Sequence, residues 1–132
     1  TAQEAWGILQ KINPRKKLQR TNKLVGEPAC LGFAKGRVKV LRSLKDMNDF
    51  RQGNILVAES TEVDYLPAMR KAGAIVTSLG GITSHAAVVS RELGIPAIVG
   101  IANIHNILKD GDRVEVDANN GIVKKIESSM LC

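Results

Sequence analysis

The chain has 132 residues, 44% of them hydrophobic and 24% charged, with a formal net charge of +6 and two cysteines. That suffices for one domain with its own apolar core and argues against a low-complexity chain, a disulfide framework or a zinc site, because Cys30 and Cys132 are too few and too far apart. No apolar run approaches the roughly 18 residues of a transmembrane helix, and no N-terminal signal pattern is present, so a cytoplasmic protein with two free thiols is expected.

Residue 1 is Thr rather than Met, which makes the chain either processed or part of a longer protein. Residues 2–12 set Ala5, Ile8, Leu9 and Ile12 on one helical stripe, and Asn13-Pro14 ends it. The next stretch, Arg15 to Lys23, is basic and has no apolar periodicity. Residues 1–23 therefore read as a helix and basic linker, and residues 24–132 as the folded domain. The positive charge concentrates toward the N-terminus: residues 1–45 carry eleven Lys and Arg against Glu4 and Glu27. Nucleic acid is disfavoured as the partner, because Trp6, Phe33, Phe50 and Tyr65 are not interleaved with the basic residues to form a stacking platform. A solvated face, or one that meets an acidic partner, is expected instead.

From Val25 the chain is punctuated by Gly26, Gly32 and Gly36. Arg37 to Leu41 alternates polar and apolar residues and predicts a half-buried strand. Leu44 to Phe50 predicts a short helix or turn, and Gly53-Asn54 a turn before Ile55-Leu56-Val57-Ala58, a strand buried on both faces. Asp64 is expected to cap a helix with Pro67 in its first turn, carrying Leu66, Met69 and Ala72 and stopping at Gly73. Ala74 to Thr77 is a further short buried strand.

Gly80-Gly81 then frees the backbone to turn, Thr83 or Ser84 offers a helix N-cap, and a helix runs from His85 to the stop at Gly94 and Pro96. Pro96 to Val99 is the next strand, Asn103 to Leu108 a weak helical turn, and Asp110-Gly111-Asp112 a tight turn. Arg113 to Asp117 and Ile122 to Ile126, joined through Asn119-Asn120-Gly121, form a hairpin. The tail from Glu127 to Cys132 has little to order it. About six short strands and two main helices result, with parallel pairing in the middle and an antiparallel hairpin at the end. The expected class is therefore α/β with a mixed sheet.

His85 is one of two histidines and starts a helix beside a glycine turn. A helix N-terminus attracts anions, and a neutral imidazole there has the nucleophilicity for attack on phosphorus. The same placement also suits a histidine that only packs or caps the helix. His105 has no nucleophile pattern around it and reads as structural or exposed. Asp110, Asp112 and Asp117 read as turn chemistry rather than as metal ligands.

The stretch Thr77-Ser-Leu-Gly80-Gly81-Ile-Thr83-Ser84-His85-Ala86-Ala87, continued by Arg91-Glu92-Leu-Gly94-Ile-Pro96-Ala97-Ile-Val-Gly100, resembles the phosphohistidine signature of phosphoenolpyruvate-utilising enzymes. Gly26-Glu-Pro-Ala29-Cys30-Leu-Gly32, Gly53-Asn-Ile-Leu-Val-Ala-Glu-Ser-Thr61, Pro67-Ala-Met69 and Asp110-Gly111-Asp112-Arg-Val-Glu-Val-Asp also fit that family, so the resemblance covers about residues 24–126. Three positions depart from the pattern. Cys30 stands for a usual serine, Thr61-Glu-Val-Asp64 lacks the usual first proline, and Ser78 stands where many relatives carry an acid.

The resemblance implies a swivelling β/β/α domain whose His85 takes a phosphoryl group at one active site and delivers it at another, as in phosphoenolpyruvate synthase. Thr83, Ser84, Gly81 and Gly80 would support the phosphoryl group. The implied partners are an ATP-grasp domain and a phosphoenolpyruvate- or pyruvate-binding domain, with Mg²⁺ and ATP held there rather than here. A rifampin-phosphotransferase-like carrier and a non-catalytic docking module are the competing expectations. Arg91, six positions beyond His85, is expected at the surface or in an internal ion pair.

Overall fold

In a computed structural model that describes residues 23–127, the longest strand belongs to two sheets at once. Eight strands are present among the described residues: β1 (Lys23–Val25), β2 (Glu27–Cys30), β3 (Phe33–Leu41), β4 (Ile55–Ala58), β5 (Ala74–Thr77), β6 (Ala97–Val99), β7 (Arg113–Asp117) and β8 (Ile122–Glu127). They follow the order β1-β8-β7-β3-β4-β5-β6-β2. The first half of β3, from Phe33 to Arg37, pairs antiparallel with β7. Its second half, from Val38 to Leu41, pairs parallel with β4. β3 therefore joins an antiparallel layer to a mainly parallel one.

The α-helices are α1 (Leu66–Lys71), α2 (His85–Leu93) and the single turn α3 (Ile104–Ile107). Their placement follows from the two-sided burial of the parallel strands. In β4, Leu56 and Ala58 face one apolar cluster with Met69 of α1 and Ala86 and Ala87 of α2. Ile55 and Val57, on the opposite face, pack with Val114, Val116 and Val123 of the hairpin. The result is three layers, hairpin sheet, parallel sheet and helices, which is the expected β/β/α arrangement and a mixed α/β fold. Residues such as Ile55, Leu56 and Ile75 are 0% exposed, where truncation to Ala costs about 2–5 kcal/mol.

The β4-α1-β5-α2-β6 run is parallel throughout, as the spacing predicts. The strand count is larger than expected, because β1 and β2 pair with partners far along the chain. β1 lies against β8 through Lys23↔Lys124, and β2 against β6 through Glu27↔Val99. Pro28 fits because β2 is an edge strand, where a missing N–H breaks no ladder. β3 also begins at Phe33 rather than Arg37.

Asp64 does not cap α1. It lies inside a 3₁₀ turn, Val63–Tyr65, that runs directly into the helix, so the helix N-cap is Tyr65. Pro67 does occupy the first turn. The helix expected over 2–12, the basic linker up to residue 22 and the tail beyond 127 lie outside the described residues.

Candidate functional site

The C-terminal ends of β4 and β5 carry two loops held side by side. The Ser78 N–H donates to Ala58 O (3.1 Å) and the Leu79 N–H to Glu59 O (2.8 Å), which extends the parallel pairing past the strand ends. This is where open parallel sheets place their ligands, because loops from neighbouring strands converge there. Thr61 arrives from the first loop and the Gly80–Ser84 turn from the second, and α2 starts at His85.

Ser84 is the N-cap of α2, rather than Thr83. Its Oγ accepts from the Ala87 N–H (3.3 Å) and donates to Gly81 O (2.8 Å). The hydroxyl expected to support a phosphoryl group thus has two backbone partners. The first-turn N–H groups of His85 and Ala86 have no intrahelical acceptor, as at any helix start. Thr83 is exposed, with no side-chain hydrogen bond among the described residues. Gly80 has φ +100°, and a Cβ there would lie 2.8 Å from Ser84 Cβ. Gly81 is open, the nearest atom to a Cβ being Glu27 Oε1 at 4.0 Å.

His85 is half-buried, and its Nδ1 lies 2.9 Å from Thr61 Oγ1. Ser60, Thr61, Leu79, Gly80, Ser84, His85 and Ala86 together line a cavity of about 110 Å³. His85, Ser84 and Gly80, three of the five residues singled out from sequence, share this cavity. Gly81 and Thr83 sit in the connecting turn without lining it.

Two residues of the site had no assigned role in the sequence. Thr61 matched a family threonine, but nothing local announces that it meets an imidazole 24 positions away. Arg91 is exposed, as one of the two expectations had it, but its guanidinium is held by backbone carbonyls rather than by a carboxylate. Its Nη2 donates to Ile82 O (2.6 Å) and its Nη1 to Ala29 O (3.1 Å), which ties the turn before His85 to β2.

The remaining candidates serve the fold. His105 is half-buried with Nδ1 2.8 Å from Ser78 Oγ, which also accepts the Ile104 N–H (3.0 Å). Asp110 accepts from the Val40 N–H and pairs with Lys39 (3.2 Å). Asp112, 1% exposed, accepts from the Lys109 N–H and pairs with Lys125 (3.4 Å). Asp117 accepts from the Asn119 and Asn120 N–H groups. Among the described residues, no three His, Cys, Asp or Glu side chains converge as a metal site, and no helix is long and apolar enough to cross a membrane. Cys30 is a free thiol.

Set against known proteins, residues 50–121 match the family described as "PEP-utilising enzyme, mobile domain". A probable phosphoenolpyruvate synthase of Archaeoglobus fulgidus is 51% identical over 100 residues, which is 76% of this chain and 13% of that protein. The chain thus spans only about an eighth of the length of such relatives. Among solved structures, an enzyme I protein aligns with TM-score 0.52 and 33% identity over 60% of this chain and 33% of that one. A chain of the holo-form aconitase X of Thermococcus kodakaraensis aligns with TM-score 0.61 and 25% identity, over 80% of this chain and 98% of that one. The second likeness shows a shared fold between differently named proteins, so function has to be argued from the site.

Proposed function

This chain belongs to the family of mobile domains of phosphoenolpyruvate-utilising enzymes, and from that premise we propose that His85 is a phosphoryl carrier that works between active sites held on other domains. The observation that carries the reading is the 2.9 Å contact of His85 Nδ1 with Thr61 Oγ1. In a neutral imidazole one ring nitrogen bears the proton and the other a lone pair. In this proposal Nδ1 is the protonated nitrogen and donates to Thr61, which leaves Nε2 as the nucleophile.

In the first transfer, the Nε2 lone pair attacks the phosphorus of a bound donor. The P–N bond forms as the P–O bond to the leaving group breaks, and the leaving oxygen takes the electron pair. In the second, an acceptor oxygen attacks the same phosphorus and the P–N bond breaks, returning the lone pair to Nε2. Thr61 keeps the Nδ1 proton in place throughout, so the ring needs no tautomer change between the two steps.

The first-turn amides of His85 and Ala86 and the hydroxyl of Thr83 supply donors for the phosphoryl oxygens. Ser84 contributes by holding the helix start in place, and Gly80 and Gly81 leave room for a partner site to close over His85. ATP and phosphoenolpyruvate or pyruvate are bound, in this reading, by an ATP-grasp domain and a phosphoenolpyruvate-binding domain, and Mg²⁺ held there would supply charge neutralisation. The residues before β1 serve, in this reading, as the linker on which the domain swings, Lys23 itself being part of the sheet, and the cytoplasm is the compartment in which these partners meet.

The test is incubation of the chain with a phosphoenolpyruvate synthase lacking its own carrier histidine, together with radiolabelled ATP. Acid-labile, base-stable label on this chain, absent in a folded His85→Ala variant, is the expected result. Label that persists in His85→Ala removes His85 from the mechanism.

A further inference from the structure

Beside the His85 cavity lies a second, larger one of about 320 Å³ that phosphoryl transfer does not use. Arg42 at the end of β3, Glu59, Ser60 and Glu62 after β4, Tyr65 and His105 wall it, and Ser60 lines both cavities. Its volume falls at the lower end of the roughly 300–1,000 Å³ of small-ligand sites.

The charged side chains of this cavity that have neither a hydrogen bond nor an ion pair among the described residues are both carboxylates. Arg42 is turned to α3, where Nη2 donates to His105 O (2.6 Å) and Nη1 to Asn106 Oδ1 (3.4 Å). His105 Nδ1 is engaged with Ser78. Glu59 and Glu62, by contrast, form no ion pair among the described residues. Tyr65 is 6% exposed, yet its phenol makes no hydrogen bond among the described residues. An unpaired polar side chain this buried costs stability unless something arrives to meet it. Two free carboxylates and an unpaired phenol together call for a cation that carries several N–H donors.

We propose that this cavity is a socket for a basic side chain, the guanidinium of an arginine or the ammonium of a lysine, presented by the surface of a partner protein. The rim supports a protein source over a free cation. Val63, next to Glu62 in the chain, is 66% exposed, and Leu79, which lines the His85 cavity, is 54% exposed; exposed apolar side chains beside a charged pocket are the anatomy of a protein interface. Burial and the nearby Glu62 and Asp46 carboxylates raise the Tyr65 pKa above that of an ordinary phenol, so the group meets the cation as a neutral hydroxyl. Occupancy of the socket needs no phosphate on His85, and its test leaves His85 untouched.

The experiment titrates the ¹⁵N-labelled chain with three probes: propylguanidinium, its neutral counterpart propylurea, and the capped tripeptide acetyl-Gly-Arg-Gly-amide. Propylguanidinium and the tripeptide are expected to give saturable amide shifts at Ser60, Glu62, Tyr65 and His105, and propylurea to give none. The double variant Glu59→Gln/Glu62→Gln, both exposed positions, loses about tenfold in affinity, equivalent to one charge-assisted hydrogen bond. Tyr65→Phe binds more weakly than the wild type. Equal shifts with propylurea, or undiminished binding by the double variant, overturn the socket. Entry of propylguanidinium with rejection of the tripeptide overturns the protein source.

Discussion

Thr61 and His85 lie 24 positions apart in the chain and meet at 2.9 Å, Oγ1 to Nδ1. Thr61→Val keeps the branched shape and removes the hydroxyl. Nδ1–H then has no acceptor, and the ring populates both tautomers and a wider range of orientations. Phosphorylation of His85 is expected to slow by about 10–100-fold, the cost of losing an orienting partner on an imidazole. Thr61→Ser restores most of the rate. Imidazole ¹⁵N shifts check the cause: the wild type shows a protonated Nδ1, and the Val variant a mixture. A single Nδ1–H tautomer in the Val variant, with unchanged rate, would remove Thr61 from the site.

Gly80 and Gly81 are neighbours with opposite tolerance. Gly80 has φ +100° and no space for a Cβ, which would press on Ser84 Cβ and Oγ at 2.8 and 2.9 Å. Gly80→Ala is expected to cost about 1–3 kcal/mol, the range for a side chain forced into such a backbone. It should also loosen the α2 cap, since Ser84 is the residue displaced. Gly81→Ala meets nothing closer than 4.0 Å and should stay within about 0.5 kcal/mol of the wild type. Urea unfolding of both variants measures the difference.

Features that depend on near neighbours were legible in the sequence, and those that depend on distant ones were not. β4 and β5 could be read because a short unbroken apolar run, bounded by glycine and polar residues, fits a strand buried on both faces and is too short for a buried helix. The start of α2 could be read because Gly80, Ser84 and His85 act on one another within one turn. β1 and β2 are three and four residues long, and only pairing with β8 and β6, far along the chain, makes them strands. Arg91 followed the same rule. A guanidinium on a helix surface suggested water or a carboxylate, and the acceptors proved to be two backbone carbonyls brought in by the turn and by β2. The Thr61 contact belongs with these, since its meaning comes from the parallel pairing of β4 with β5.

Ser84 separates capping from phosphate binding. Ser84→Ala leaves the Ala87 N–H without its side-chain acceptor and should cost about 1 kcal/mol. Ser84→Asp keeps an N-cap acceptor but loses the hydrogen bond that Ser84 donates to Gly81 O, so it too should cost about 1 kcal/mol. The same change puts a carboxylate next to the point where an incoming phosphoryl group meets His85. Phosphorylation should slow by at least about tenfold through like-charge repulsion. A stable Ser84→Asp chain phosphorylated at the normal rate would mean that the phosphoryl group does not approach over the α2 N-terminus.

Tyr65 is the only tyrosine in the chain, so its ionisation can be followed at 295 nm without interference from another phenol. Burial chiefly, with Glu62 and Asp46 adding repulsion, raises its pKa above the ordinary 10.0. Between pH 10 and the raised value the folded chain holds the phenolic proton while the unfolded chain has begun to lose it. The unfolded state therefore binds fewer protons, and stability falls as pH rises through that window. Below about pH 10 the contribution is complete and flat. Lysines and Cys30 titrate in the same range, so the measurement is a difference: unfolding free energy from pH 8 to 11 for the wild type minus that for Tyr65→Phe. The difference should be level up to about pH 10 and then shift against the wild type. A level difference across the whole range, or an absorbance midpoint at or below that of a free phenol, would show that Tyr65 is solvated and that its hydroxyl already has water as a partner.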